Sequence, residues 1–398
     1  MAILIDGGDR LLPDEARDQR ARARAIADEV IAPIAADIDR DRHIPSAIRR
    51  QLAEAGFYGL NIPPEWGGKG STLLAAVTIE ELSRVSAAVG LSVAVQVLGS
   101  TPFILGGNRE QADHWLPDLA AGRRFCSFAM TEPGSGTDAA SVATMLTETG
   151  DGFQLNGEKH FISGATLSDV YTVIARSGAG RNEMTAVVVP ADTPGFVIGP
   201  VQPFTGMRGM PVGRLQFIDA PVPADAQLGQ RGRGFPLALA TLDRARPGIA
   251  AQALGIAQGA FDAAVAYTGR RVQFGKPLLE QPVIQHRLAR HAAAIAAARQ
   301  LCYHAAQLID LGAPEMSAAV SMAKLVCSDL AMQIVVDALQ FWGGQGYLEG
   351  SPTERMFRDA KVTQIYEGTN EIQELVIART ILKAWGNEQP TGTDPSAG

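Results

Sequence analysis

Three textures of apolar and polar positions follow one another along the chain. In residues 15–121, Ala, Leu and Arg dominate and β-branched clusters are few, a pattern that predicts helices. In residues 125–234 the period shortens. Phe153 and Leu155 alternate with polar neighbours up to Asn156-Gly157, a pair favoured in hairpin turns, and apolar runs such as Val187-Val188-Val189 and Leu215-Gln216-Phe217-Ile218 are bounded by Gly, Pro or Asp. This stretch predicts a compact antiparallel β domain. After Gly234 long helical patterns return: Leu242, Ile249 and Ile256 recur at heptad spacing, and further runs cover residues 283–311, 316–341 and 352–385. Four long runs with short connections predict an up-and-down bundle. The expected fold class is α+β, mostly α: an N-terminal helical domain (1–124), a central antiparallel β domain (125–233) and a C-terminal four-helix bundle (234–386). A polar, Gly/Pro-rich tail (387–398) is expected to be disordered.

Composition narrows the function classes. With 398 residues, 46% hydrophobic and 19% charged, the chain can bury a sizeable core. A net charge of −7 argues against nucleic acid or an anionic membrane surface as the main partner, while leaving small acidic ligands open. Cys126, Cys302 and Cys327 are too few and too scattered for a disulfide framework or a zinc site, so no metal is expected and a reducing cytoplasm fits. The N-terminus is acidic where a signal or transit peptide is basic, which also points to a cytoplasmic protein. The most apolar window, residues 87–105, is broken by Gly90, Gln96, Gly99 and Pro102 and reads as a buried core helix rather than a membrane span.

Several stretches carry candidate chemistry. TEPGSGTD (131–138) offers hydroxyls, two glycines and free backbone N–H groups, a loop that can lie against a planar heterocycle or a pyrophosphate, or simply turn the chain. Phe161-Ile162-Ser163 can stack on a ring and donate to it, or be an ordinary strand. Asp243 and Arg246, three apart on a helix, share a face and either pair locally or meet a polar ligand. GRRVQFGKPL (269–278) sets Arg270, Arg271 and Lys276 beside Phe274, a basic corner or an anion site with an aromatic shelf. The glycines of QFWGGQGY can end a helix or admit a close neighbour. In IYEGTN (365–370), Glu367 is either a solvated helix-end charge or a base held over a substrate.

Taken in order, FAMTEPGSGTD, EKHFISG, GMRG, LDRARP, RRVQFGKPL, QFWGGQGY, RDAK and IYEGTNEIQELVIAR resemble the acyl-CoA dehydrogenase family from the N-terminal helices to about Trp385. The resemblance implies FAD between the β domain and the bundle, an acyl-CoA thioester against its ring, and a homotetramer. By carry-over, Phe128, Met130, Thr131 and Gly136 line the flavin, and Thr137 touches its phosphate region or the ligand. Phe161 and Ser163 pack on the opposite face of the ring. Arg271 and Phe274 reach the ADP part of FAD across a dimer interface, as do Gln340, Phe341, Gly343 and Gly344 from a neighbouring subunit. Thr369 and Glu371 close the site, Asp243 and Arg246 face the pantetheine or nucleotide, and Tyr366 and Gly368 flank the acyl group.

The same resemblance makes Glu367 the base that removes the α-proton, with hydride passing to flavin N5, a trans-2-enoyl thioester as product and an electron-transfer flavoprotein as acceptor. Some relatives carry the base one residue before the arginine of Asp-x-x-Arg; here that residue is Ala245, which cannot serve. The chain departs from the pattern at Phe161 (usually tryptophan), Thr137 (usually serine), Pro282 (usually a glutamine meeting FAD) and Met210 (usually small and polar, at the ligand mouth). Competing readings are a dehydrogenase of carrier-protein-bound acyl groups, an acyl-CoA oxidase, whose chains usually carry an extra C-terminal region, and a flavin-free helical scaffold. The pocket floor is expected around residues 91–98.

Overall fold

A computed structural model describes residues 11–180 and 183–388; most of the expected disordered tail, 389–398, lies outside them. The chain begins with helices α1 (Asp14–Ile26), α2 (Ala35–Asp41), α3 (Ser46–Glu54), α4 (Thr72–Val85), α5 (Ala87–Gly106) and α6 (Arg109–Ala120). Their starts are read easily from local chemistry. The Ser71 hydroxyl accepts from Leu74 N ahead of α4, and Asn108 with Gln111 forms a reciprocal capping box ahead of α6. By length and composition α5 is apolar enough to cross a membrane, but 83% of its most apolar window is buried inside the protein. It is the central wall against which the other layers pack.

Strands β1 (Cys126–Ala129), β2 (Met145–Thr149), β3 (Gly152–Ser163), β4 (Val170–Arg176), β5 (Met184–Pro190), β6 (Phe196–Ile198), β7 (Val212–Pro223) and β8 (Gln227–Leu228) form the sheet, in the order β6-β7-β3-β2-β4-β5-β8. Pairing is antiparallel except where β1, and the first residue of β2, run parallel to β4. The expected hairpin turn at Asn156-Gly157 is not there. β3 runs straight through these residues, its pairing with β7 shifting register between Leu155 and Gly157, and the β2–β3 turn falls at Gly150-Asp151. The side chain of Asn156 bonds Asp219 on β7 instead, so a local turn preference yields to a bulge in a long strand pair.

The last third contains α7 (Gly234–Arg270), a short hairpin β9 (Val272–Gln273) and β10 (Lys276–Pro277), then α8 (Pro282–Asp310) and α9 (Met316–Trp342). Pro282 occupies the first turn of α8, where its missing N–H costs nothing. The fourth expected helix is not continuous. It is two, α10 (Pro352–Val362) and α11 (Asn370–Glu388), and the break between them holds Glu367. Gly255 and Gly259 bring α7 against the backbone of α4 so closely that a Cβ at either place would fall within 2.2 Å and 2.1 Å of the Glu80 and Arg84 carbonyl oxygens. A buried charge network ties these layers together: Arg20 meets Glu81 at 2.7 Å and Arg299 meets Glu80 at 2.8 Å. The GMRG and RDAK motifs also join here, the Met207 N–H donating to buried Asp359 at 2.6 Å while Arg358 pairs with Asp39 at 2.6 Å. Met210, expected at a ligand mouth, is buried in the core beneath this junction, where an apolar side chain is the better fit.

Candidate active site

The segment from Thr363 to Thr369 is held in a shape its own sequence does not favour. Glu367 and Gly368 lie consecutively at φ 52° and 93°. The second position admits only glycine, since a Cβ there would also meet Gln373 Nε2 at 2.7 Å. The first is a strained angle for a glutamate and needs outside support. That support comes from other helices. Arg246 Nε of α7 donates to the Glu367 carbonyl at 3.0 Å, Gln373 Nε2 of α11 to the Gly368 carbonyl at 3.0 Å, and the Tyr366 hydroxyl to Gln252 Oε1 of α7. Arg246 is itself buried and paired with Asp243, so this pair, read from the sequence as either local or ligand-facing, is formed locally and positions the loop, while Arg246 also borders the cavity.

The Glu367 side chain is left without such partners. Its Oε2 is shielded from solvent and has no hydrogen bond, and burial pushes the carboxyl up to about 7 from an ordinary 4.5, against the pull of the Arg246 and Lys324 charges. A carboxyl in this state can take a proton near neutral pH.

It faces a cavity of about 760 Å³. One wall is Phe128 and Met130 with Thr131, Gly136 and Thr137 of the following loop. A second is Phe161 and Ser163 of β3, a third Leu91, Ala94, Val95 and Leu98 of α5, and the last Leu242, Arg246, Tyr366, Glu367, Gly368, Ile372, Val376 and Arg379. The glycine loop is fixed from behind by a buried pair: Lys159 Nζ donates to Glu132 Oε1 at 2.7 Å, to the Met130 carbonyl at 3.1 Å and to the Ile174 carbonyl at 2.6 Å. Glu132 in turn accepts from the backbone N–H groups of Ala143 and Thr144 at 2.6 and 3.0 Å. On the other side of β3 the register shift between Lys159 and Ile162 puts Phe161 at φ 57° and leaves its ring 55% exposed toward the cavity. Around Gly134 and Gly136 no atom lies within 4 Å of where a Cβ would stand. An aromatic face, hydroxyls and an open, pinned glycine loop fit a flat heterocycle with phosphate attached.

Other expected site residues lie outside this cavity. Phe274, at φ 52°, is 95% exposed at the tip of the β9–β10 hairpin, beside exposed Arg271. Gln340, Gly343 and Gly344 are exposed at the end of α9, and Phe341 is buried in the bundle core. Glu371 points outward from α11, and Thr369 is half-buried beside the cavity. Sequence reasoning did not single out Glu132, Lys159, Lys324, Asn370 or Arg379. Glu132 and Lys159 stand inside motifs already marked, but nothing in their spacing shows that they meet.

The chain matches the acyl-CoA dehydrogenase N-terminal domain over residues 13–123, the middle domain over 127–220 and the C-terminal domain over 232–382. It is 43% identical over 375 residues, 94% of this chain and 96% of the relative, to the Mycobacterium leprae (strain TN) protein named "Probable acyl-CoA dehydrogenase fadE25". The butyryl-CoA dehydrogenase structure from Megasphaera elsdenii superposes with a TM-score of 0.91 at 37% identity, covering 93% of this chain and 99% of that one. A structure titled as the electron transferring flavoprotein of Acidaminococcus fermentans gives a TM-score of 0.91 at 38% identity, covering 94% and 99%. Matches of this extent, on a fold whose cavity fits FAD, leave one conclusion: the chain belongs to the acyl-CoA dehydrogenase family, FAD-dependent oxidoreductases acting on acyl-CoA thioesters.

Proposed function

We propose that the protein desaturates an acyl-CoA thioester to its trans-2-enoyl form, with Glu367 as the base for the α-proton. Half-buried Glu367, facing the cavity with its Oε2 shielded from solvent and without a hydrogen-bond partner, carries this reading. An α-proton beside a thioester is too weak an acid for a solvated carboxylate. Desolvation strengthens Glu367 as a base, and Arg246 and Gln373 hold its loop so that the carboxyl stays aimed at the substrate. Phe128, Met130, Thr131, Gly136, Thr137, Phe161 and Ser163 hold the flavin ring. FAD, when bound, supplies the acceptor for the β-hydride.

The α5 wall of Leu91, Ala94, Val95 and Leu98 is apolar throughout and supports an apolar acyl group, as in fatty acid metabolism. We assign the electron acceptor as an electron-transfer flavoprotein, on the likeness to the Acidaminococcus structure. A homotetramer brings Arg271, Phe274, Gln340, Gly343 and Gly344 to FAD from neighbouring subunits. Phe274, at 95% exposure, and exposed Tyr347, Leu382 and Trp385 support such contacts. Three buried free thiols accord with a cytoplasmic setting.

Glu367→Gln tests the assignment. FAD content and thioester binding are expected to persist while reduction of the flavin by acyl-CoA falls about 10²–10⁴-fold, the usual worth of a general base. Reduction at the parent rate sinks it. A panel of free CoA thioesters of different length and branching, run beside carrier-protein thioesters, identifies the substrate class.

A further inference from the structure

Lys324 stands on α9 in the bundle core with 0% of its surface exposed. That is an expensive place for an ammonium, and nothing in the reaction as described uses it. Its Nζ donates to Asn370 Oδ1 at 2.7 Å, and Asn370 opens α11 three residues after Glu367. The Asn370 amide also donates to Ser328 Oγ and Asp329 Oδ1 at 2.9 and 2.7 Å, and Asp329 Oδ1 receives Gln364 Nε2 at 2.6 Å. The base loop is therefore fastened to α9 at both ends, with the strained Glu367 between the fastenings.

The charges around this group come from several elements. α7 contributes Arg246, whose charge is shared with Asp243. α9 contributes Lys324 and Asp329, and α11 Glu371. Asp359 of α10 acts on Tyr366 behind the loop. Of these, Glu367 is the strongest favourable charge acting on Lys324, while Arg246 and Lys324 are what oppose desolvation of Glu367. Burial draws Lys324 down to about 8 and pushes Glu367 up to about 7, so the two groups change charge in neighbouring pH ranges.

We propose that Lys324 is a positioning residue for Glu367: its buried ammonium anchors the base loop through Asn370 and supplies positive charge that keeps the carboxylate ionised in a water-poor cavity. The inference rests on Glu367 being the base. Arg246 is the larger of the two favourable charges on Glu367, and Lys324 adds to it from the opposite side of the loop while holding that loop through Asn370, which Arg246 does not touch.

The test follows the Glu367 carboxyl directly, by infrared difference titration of the FAD-loaded protein, with Glu367→Gln identifying the band. Lys324→Met is expected to raise the midpoint by about one pH unit or more. It is also expected to move the pH profile of flavin reduction by the same amount, and Lys324→Arg to restore most of the shift. An unmoved midpoint, with only a lower melting temperature, overturns the proposal. If Lys324→Met does not fold, Glu367→Gln provides the reciprocal measurement. The Lys324 ammonium, followed by NMR of labelled lysine, is expected to titrate at lower pH in that variant than in the parent, since coupling acts equally in both directions. An identical titration overturns the proposal. Neither spectroscopic readout needs turnover, so failure of the base assignment, seen as undiminished flavin reduction by Glu367→Gln, is distinguished from absence of the coupling.

Discussion

Glu367 and Phe161 lie at φ 52° and 57° on opposite sides of one cavity, and each such angle in a bulky residue costs about 1–3 kcal/mol unless its surroundings impose it. Arg246 imposes the first and the β3 register shift the second. Strain at these residues aims a carboxyl and a ring where relaxed backbone would not. The Glu367 carboxyl itself sets a pH signature. Its folded value, about 7, lies above the ordinary 4.5, so its contribution to stability is complete below about pH 4.5 and is lost as pH rises through about 7. Urea unfolding of parent and Glu367→Gln across pH 4–8 is expected to show the parent losing stability relative to the variant over that window. Proton abstraction runs the other way, because the carboxylate is the active form. Single-turnover flavin reduction is expected to rise with pH to a plateau above about 7; a midpoint near 4.5 would place the carboxyl in water.

Elements matter here through what they clamp. β3 carries Lys159 inward and Phe161 toward the cavity within three residues, and the inward lysine holds Glu132, the Met130 carbonyl and the glycine loop in place. Lys159→Met leaves Glu132 buried with its two backbone hydrogen bonds but without its cation, a loss that typically costs roughly 3–5 kcal/mol. Denaturant unfolding is expected to show that loss, accompanied by weaker FAD retention because the loop is freed. Full stability with normal FAD content would mean that the pair is incidental.

At the scale of the whole molecule, one chain gathers Glu367, Phe161 and the apolar side chains of α5 around a single cavity but leaves Arg271 and Phe274 on an exposed hairpin. If a neighbouring subunit completes the FAD site there, Arg271→Ala is expected to weaken FAD retention and assembly together, by the few kcal/mol typical of a lost charge-assisted contact. Analytical ultracentrifugation alongside flavin absorbance reads both, and loss of neither assigns Arg271 to a solvated corner.

The sequence by itself determined the three textures, the mostly helical fold with a β core, and the identity of the chemistry-bearing stretches, because period, capping and turn residues are local and FAMTEPGSGTD or IYEGTN can be read without knowing what they touch. Tertiary structure decided the rest. It turned Asn156-Gly157 from a hairpin into a bulge, because β7 offered Asn156 a partner 63 residues away. It split the last helix at Glu367, a run that looks continuous by period, because Arg246, 121 residues upstream, holds the break open. It buried Met210, and it joined Lys159 to Glu132 across 27 residues and Lys324 to Asn370 across 46. Each outcome depends on the partner a side chain meets after folding. Periodicity names a buried face, but which distant polar group waits on it is settled only when the elements pack.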